Sequence, residues 1–386
     1  MSTDPPAARP RRHLLGTAGL ALFGLVLALG ILEGFLRVYD PFGQRVWGDR
    51  ILLPTHFRTE FYNRDNPRLD RKVVFSKNAI GFRGPDPPAD FGRRLTLVAV
   101  GGSTTECLYL TDGKDWPAVL AERLSASFSG VWVDNAGLDG HSTYGHALLL
   151  RQYIDPLRPK VVLFLVGIND VGRTAMRAQD LALAGEGVPW TVRLARHSAV
   201  AATALNLQRN WQARKALLPY REIDLAATPA FRPGRKHHEE VLAEHRQHLP
   251  AYAERLRELV RLCRAMGAEP VLLTQPALYG YGRDDLTGAD LGLVEVDREG
   301  LLNGRAAWAL LEMYNDVTRT VGAQQGVLVV DVAREMPKSS RLFYDYLHFT
   351  NAGAEEVAAL TFDSLCPYLA GRFPQHATHP CVKAAS

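Results

Sequence analysis

The chain has 386 residues, of which 47% are hydrophobic and 22% charged, and its formal net charge is +4. This length suits one large domain with additions, and the composition is that of a globular protein with a sizeable core. The 33 glycines and 23 prolines follow no fixed period, which excludes collagen-like and low-complexity chains. No Lys/Arg run resembles those that track a phosphate backbone, so we expect no nucleic-acid partner.

The four cysteines are too few and too scattered for a disulfide scaffold, and none has the Cys-x-x-Cys spacing of a zinc or redox site. In an oxidising compartment Cys366 and Cys381 could pair and tie down the C-terminal tail. Two unpaired thiols are an equal alternative.

The N-terminal segment is predicted to lie outside the folded domain. Residues 14–32 form a run of nineteen residues without a charge. As a helix this run is about 28 Å long, close to the hydrocarbon thickness of a bilayer. We predict an uncleaved transmembrane signal anchor over residues 14–36 rather than a buried core helix. A signal peptide, cleaved near the small residues Ala28 and Gly30, is the alternative.

The charges beside the span predict its orientation. Arg9, Arg11 and Arg12 precede the apolar run, whereas only Arg37 follows it closely. This bias places residues 1–13 in the cytoplasm as a tail and the rest of the chain outside it. The sequence therefore predicts a single-pass membrane protein with an extracytoplasmic domain.

Beyond the anchor, the pattern predicts an α/β domain. Residues 37–93 have no sustained period and are interpreted as a lead-in segment that packs on the domain. Residues 94–372 alternate apolar strands with helices, interrupted by an irregular insertion at about 173–235, and residues 373–386 form a tail. Buried strands that alternate with helices predict a central parallel sheet of about five strands covered on both faces. The predicted strands span residues 95–100, 131–137, 161–167, 271–276 and 327–332.

Four helices of that domain have boundaries that the sequence indicates. They are predicted over residues 144–153, 239–266, 306–321 and 351–369. Pro156 and Pro159 are expected to stop the first, and Pro250 to interrupt or kink the second. Asn351 is interpreted as the cap of the last.

Reactive residue types follow the strands at the edge where ligands bind in such sheets. Ser103 follows the first strand, Gly140 the second and Asn169 the third, while Asp345 and His348 precede the last helix. A serine becomes a nucleophile when a histidine takes its proton, and a carboxylate fixes the tautomer of that histidine. Backbone N–H groups at Ser103 and Gly140, with the Asn169 amide, would stabilise a developing oxyanion.

This ordered set resembles the SGNH (GDSL-type) hydrolase superfamily over roughly residues 94–370. Ser103, Gly140, Asn169 and His348 match the four residues for which the superfamily is named, and Asp345 lies three residues before the histidine. The resemblance implies a Ser-His-Asp esterase or acyl-transfer site on a flavodoxin-like three-layer sandwich. In one departure, Gly102 replaces the usual Asp of the first block. The anchor and the GFRGPD lead-in look like those of membrane-tethered bacterial members, some of whose relatives act on O-acetyl groups of extracellular polysaccharides.

Each residue also has a structural interpretation. Ser103 alone would cap a helix, and Asn169 with Asp170 would close a turn. His141 and His146 are interpreted as loop histidines rather than metal ligands, because no carboxylate or cysteine lies at ligand spacing. An α/β-hydrolase is excluded because position 105 is Thr, whereas the nucleophile elbow of that fold needs Gly there.

The sequence thus predicts a membrane-tethered serine esterase or O-acyltransferase that acts on small acyl esters, with acetyl groups on carbohydrate as the expected substrate. No metal or organic cofactor is required by this chemistry. The alternative is a catalytically silent module of the same fold that binds a glycan or a protein partner. The sequence leaves open the oligomeric state and the choice between hydrolysis and transfer.

Overall fold

A computed structural model describes residues 11–39, 46–47, 50–51, 53–63, 66–174, 194–195, 197–204, 207, 223–297 and 301–382. The chain divides into two compact units, one of Met1–Leu52 with Ala184–Leu217 and one of Leu53–Leu183 with Leu218–Ser386. Most of the predicted cytoplasmic tail and of the 173–235 insertion lies outside the described residues.

The first unit contains the N-terminal helix α1 (Arg11–Val38) and a short antiparallel pair, β1 (Val46–Trp47) and β2 (Arg50–Ile51). Within α1, the stretch Gly19–Val38 has a mean hydropathy of 2.2 and is long and apolar enough to cross a membrane. A signal sequence has the same properties. Only 6% of this stretch is buried, so its apolar side chains have no protein core around them.

The C-terminal part of α1 contacts the insertion within the same unit. The Glu33 carboxylate accepts hydrogen bonds from Ser198 Oγ (2.8 Å) and from the N–H groups of Ala199 (2.7 Å) and Val200 (3.1 Å). It thereby caps the helical residues 199–204, whose first N–H groups have no partner inside their own helix.

The second unit begins with a hairpin that the sequence pattern did not reveal. Strands β3 (Phe57–Tyr62) and β4 (Lys72–Lys77) pair antiparallel. Buried residues alternate along β4 only, and most of β3 is exposed, so the pair carries little period-2 signal. Ser76 Oγ donates to Asp112 Oδ2 (2.6 Å), and this bond joins the lead-in to the loop that precedes the helix beginning at Trp116.

The central sheet has five parallel strands in the order β11-β8-β7-β5-β6, which confirms the predicted fold class. Every residue of β5 and β7 is buried because helices cover both faces of the sheet. The remaining strands of this unit are β5 (Leu95–Gly101), β6 (Val131–Asn135), β7 (Val161–Val166), β8 (Glu269–Thr274), β9 (Glu295–Asp297), β10 (Leu302–Asn303) and β11 (Leu328–Val330).

Helices α3 and α10 form one layer against the sheet, and α4, α7 and α8 form the other. The helices of this unit are α2 (Ser103–Glu106), α3 (Trp116–Ser125), α4 (Thr143–Leu149), α5 (Asp155–Leu157), α6 (Arg235–Arg246), α7 (Leu249–Ala265), α8 (Gly304–Gln325), α9 (Val332–Glu335) and α10 (Asn351–Arg372).

Two helix ends differ from the prediction. Helix α4 continues through a π-helical turn (Leu150–Ile154) into α5, so Pro156 does not stop it. Pro156 lies in the first turn of α5, where proline is tolerated. The cap of α10 is Thr350, whose Oγ1 accepts the Gly353 N–H (3.1 Å), and the prediction of Asn351 as the cap was wrong.

The predicted break near Pro250 is present, because α6 ends at Arg246 and α7 begins at Leu249 with Pro250 in its first turn.

Two of the four cysteines are paired, since Cys366 and Cys381 form a disulfide that ties the C-terminal tail to α10. Cys107 and Cys263 are buried free thiols, and burial raises the pKa of each above its ordinary value.

Candidate active site

The nucleophile candidate lies at the end of strand β5, next to the central strand of the sheet. Strand β5 ends at Gly101, and Gly102 in extended conformation (φ −87°, ψ −150°) leads directly into α2, which begins at Ser103. A Cβ at position 101 would lie 2.8 Å from the Leu165 carbonyl oxygen, so only glycine fits there. Ser103 is thus the first helical residue, and the position before the helix belongs to Gly102.

The structure brings Ser103, His348 and Asp345 together. Ser103 Oγ and His348 Nε2 are 2.8 Å apart, and His348 Nδ1 lies 2.7 Å from Asp345 Oδ2. The carboxylate favours the tautomer with hydrogen on Nδ1, so Nε2 is the acceptor that faces the serine hydroxyl. This is the geometry needed to draw the proton from Ser103.

Local hydrogen bonds orient the acid. Asp345 Oδ1 accepts the N–H groups of Leu347 (2.8 Å) and His348 (2.7 Å), and its other oxygen meets the imidazole. The ring of Tyr344 stacks on that of His348 with centroids 5.7 Å apart and an interplanar angle of 16°. The carboxylate and imidazole therefore have one defined arrangement.

The three oxyanion-hole candidates surround the same point of the sheet edge. In the described part of the chain, neither the Ser103 N–H nor the Gly140 N–H donates a hydrogen bond. Gly140 adopts φ +71°, which favours glycine, and Asn169 Nδ2 donates to the His141 carbonyl (3.0 Å). The two backbone donors are available for a developing negative charge.

Gly102, the departure from the usual Gly-Asp-Ser, has a steric reason. A Cβ at this position would lie 2.2 Å from Asn169 Nδ2, closer than any real contact. In this chain the Asn169 amide occupies the space that a side chain at position 102 would need. Gly102 therefore brings Asn169 against the backbone beside Ser103.

A buried carboxylate connects the helix that carries Ser103 to the Gly140 loop, and sequence reasoning missed it. Glu106, on the same short helix as Ser103, accepts the Asp139 N–H through Oε2 (2.9 Å). Its Oε1 lies 3.8 Å from Lys77 Nζ, and both side chains are nearly fully buried. The only signal in the sequence is an acidic residue in the first turn after the serine.

Arg83, in the GFRGPD lead-in, holds the turn that follows the nucleophile. Its buried guanidinium donates to the carbonyl oxygens of Glu106 (3.0 Å), Cys107 (2.7 Å) and Leu110. It also pairs with Asp112 Oδ1 at 3.1 Å. Cys107 adopts φ +50°, a rare conformation for a non-glycine residue that these contacts stabilise.

A second lead-in arginine holds the histidine turn. Arg68 donates to the carbonyl oxygens of Ser340 (2.7 Å), Phe343 (3.0 Å) and Tyr344 (3.2 Å). These carbonyls belong to the segment that runs directly into Asp345. Both arginines act on backbone groups far away in the sequence, so no local motif marks them.

The other singled-out polar residues have structural partners. Asp170 accepts the Thr143 hydroxyl (2.6 Å) and pairs with Arg255 (3.1 Å), so it joins helices α4 and α7. His141 lies in a loop as predicted, but His146 lies on α4, and both side chains are buried. Within the residues that the structure describes, no group of three or more His, Cys, Asp or Glu side chains could hold a metal ion.

Comparison with known proteins identifies the family. Residues 99–356 match the model of the GDSL-like lipase/acylhydrolase family. No curated protein matches the chain significantly.

Solved structures with low similarity include an acetylxylan esterase from Geobacillus stearothermophilus, which is 15% identical with a TM-score of 0.39 and 70% of this chain and 93% of that chain covered. The lipase/acylhydrolase from Enterococcus faecalis is 15% identical with a TM-score of 0.40, and the match covers 75% of this chain and 99% of that one. The hydrolase LAE5 from the metagenome of Lake Arreo, Spain, is 20% identical with a TM-score of 0.39, and the match covers 70% of this chain and 94% of that one.

The family match includes the Ser103, Gly140, Asn169, Asp345 and His348 blocks and extends over well more than half of the chain. The chain belongs to the GDSL-like lipase/acylhydrolase family, and it is an ester hydrolase.

Proposed function

We propose that this protein is a membrane-tethered serine esterase or O-acyltransferase that acts on small acyl esters of carbohydrates, with acetyl as the acyl group. The observation that carries the proposal is the continuous hydrogen-bonded series from Ser103 through His348 to Asp345. A serine in this position is poised to lose its proton as it attacks a carbonyl carbon.

The proposed reaction has two halves. Ser103 Oγ attacks the ester carbonyl while His348 Nε2 takes its proton, and Asp345 stabilises the resulting imidazolium. The N–H groups of Ser103 and Gly140, with the Asn169 amide, hold the negative oxygen of the tetrahedral intermediate. His348 then returns the proton to the departing sugar oxygen, which leaves the acyl group on Ser103.

In the second half, a water molecule or a sugar hydroxyl attacks the acyl-enzyme, and His348 again takes and returns the proton. Hydrolase and transferase differ only in this acceptor. A product assay with an acceptor glycan distinguishes them, because transfer yields an acylated glycan whereas hydrolysis yields the free acid. None of these steps calls for a metal or an organic cofactor.

The nucleophile assignment is tested with the full chain in detergent and p-nitrophenyl acetate. Ser103→Ala is expected to lower kcat by about 10⁴-fold or more, because no other group replaces the attacking oxygen. Ser125→Ala, an exposed serine on α3, is the matched control and should be unchanged. Equal rates for wild type and Ser103→Ala would refute the assignment.

The anchor proposal is supported by the length and apolar character of α1. Alkaline phosphatase fused after residue 386 should be active, because the domain is proposed to lie outside the cytoplasm. An inactive fusion would contradict the orientation. A mature protein whose sequence begins at residue 31 would instead show that α1 is a cleaved signal peptide.

The competing proposal is a silent binding module, which the Gly102 departure first suggested. The close fit between Gly102 and Asn169 offers a different reason for that glycine. A fluorophosphonate probe discriminates between the two, because it reacts only with an activated serine. Labelling at Ser103 excludes the silent module, and folded protein that is not labelled favours it.

A further inference from the structure

A cavity of about 940 Å³ lies beside the histidine turn. Its walls come from the β3 hairpin, the loop after α2, residues 223–225, residues 286–287 and the segment from Ser340 to Tyr344. Four aromatic side chains line it, namely Phe61, Tyr62, Tyr109 and Tyr344. The volume is at the upper end of the range for small-molecule sites, about 300–1,000 Å³, and far exceeds what an acetyl group needs.

The aromatic residues connect this cavity to the proposed catalytic histidine. Phe61 and Tyr109 have ring centroids 6.1 Å apart, and the edge of Tyr109 meets Tyr344 at 6.3 Å. Tyr344 in turn stacks on His348. Tyr344 therefore contacts the imidazole directly, and Tyr109 is linked to it through Tyr344.

The pKa of Tyr109 is raised, first by burial and then by the negative charge of Asp139, the residue before Gly140. The contact of Tyr344 with His348 is the geometric link between the cavity and the proposed catalytic residues.

The polar groups of the cavity are those that suit a neutral, hydroxyl-rich ligand. Asn63, Asn66, Thr287 and Ser340 contribute amide and hydroxyl groups, and Asp224 contributes a carboxylate at the exposed rim. Among the described lining residues the only cation is Arg68, whose guanidinium is bound to backbone carbonyls. Asn63, Thr287 and Ser340 also bond to protein groups, so what the described lining mainly offers a ligand is its aromatic faces.

We propose that this cavity binds the carbohydrate part of the ester, with the exposed Tyr62 and the inner Tyr109 as faces on which sugar rings pack. The slightly positive C–H faces of a pyranose complement the negative face of an aromatic ring. Tyr62 lies outside the residues 99–356 that match the family model, so the proposed sugar contact comes from the lead-in segment. The proposal rests on the esterase function proposed above.

The test separates sugar recognition from ester chemistry. The full chain in detergent is assayed on p-nitrophenyl acetate, on O-acetylated xylose and on O-acetylated xylotriose and chitotriose. Wild-type kcat/KM should rise from the acetylated monosaccharide to at least one trisaccharide. Tyr62→Ala should lower kcat/KM on that trisaccharide about fivefold to tenfold, mainly through KM, and leave p-nitrophenyl acetate turnover unchanged.

Tyr281→Ala is the matched control, because Tyr281 is 62% exposed and Tyr62 is 67% exposed, but Tyr281 does not line the cavity. Tyr62→Phe retains the ring and should restore trisaccharide turnover. Equal trisaccharide turnover by Tyr62→Ala and wild type overturns the proposal, as does a wild type with no preference for either trisaccharide. A loss confined to long-chain p-nitrophenyl esters would assign the cavity to an acyl chain instead. If p-nitrophenyl acetate is not hydrolysed by the wild type, the esterase function itself fails.

Discussion

The turn that carries Ser103 and the turn that carries Asp345 and His348 are held in different ways. The serine turn is fixed by distant, buried groups: Arg83 binds three of its carbonyls, and Asn135 Nδ2 binds the Thr105 carbonyl (2.6 Å). In the histidine turn, Asp345 binds the N–H groups two and three residues ahead and the imidazole itself, while the distant Arg68 binds carbonyl oxygens of the segment that leads into it.

The two turns also differ in the burial of their arginines, because Arg83 is 2% exposed whereas Arg68 is only partly buried. In the proposed mechanism the imidazole receives and releases protons, and the His348 side chain is 14% exposed. The same mechanism needs the Ser103 oxygen at one distance from the imidazole and the proposed oxyanion donors, and the buried contacts of the serine turn would hold it there.

The largest effect is expected from a substitution that breaks the local hydrogen bonds of the histidine turn. Asp345→Asn keeps an oxygen for the two N–H groups but presents an N–H₂ group to His348 Nδ1, so the imidazole carries its proton on Nε2 and cannot accept one from Ser103. We expect kcat on p-nitrophenyl acetate to fall by about 10³–10⁴-fold without a change in the unfolding midpoint. Asp155→Asn, at an exposed ion pair, is the control. A loss below tenfold would contradict the role of Asp345.

The next effect compares the two arginines. Arg83→Met removes hydrogen bonds to three buried carbonyl oxygens, of which only that of Cys107 keeps another donor, the Leu110 N–H. It also removes a partner of Asp112, so we expect the free energy of unfolding to drop by about 3–5 kcal/mol. Arg68→Met acts on the more exposed turn and should cost about 1–3 kcal/mol. Urea unfolding followed by tryptophan fluorescence measures both.

The exposed Arg93 provides the control for this pair, because Arg93→Met should change stability by less than about 0.5 kcal/mol. Equal losses for Arg83→Met and Arg68→Met would show that the two turns do not differ in their dependence on buried groups.

The last prediction concerns the close approach at Gly102. Gly102→Ala forces Asn169 Nδ2 away from its position, so kcat should fall about 10²–10³-fold, as when one oxyanion donor is lost. The kcat of Asn169→Ala should fall by a similar factor, and the kcat of the double variant should be no lower than that of either single variant. Gly371→Ala, where a Cβ meets nothing within 4 Å, is the control. Additive losses in the double variant would argue that Gly102 acts independently of Asn169.

The comparison also explains which parts of the site could be predicted. Asp345 and His348 lie three residues apart, and Ser103 directly follows an apolar strand, so spacing and period indicated where each of them lies. Glu106, Arg83 and Arg68 act on backbone groups of segments far apart in the sequence. A hydrogen bond to a distant carbonyl leaves no periodic pattern, and sequence reasoning missed all three.

The sequence by itself determined the five-stranded sheet, because strands that are buried on both faces must be continuously apolar and helices must carry one apolar stripe. It also determined the apolar N-terminal helix, through length and composition alone. The tertiary structure decided the pairing of Cys366 with Cys381, the β3–β4 hairpin with its exposed outer strand, and the fit of Gly102 against Asn169. Each of these depends on which distant segments meet in space, and a local pattern carries no record of that.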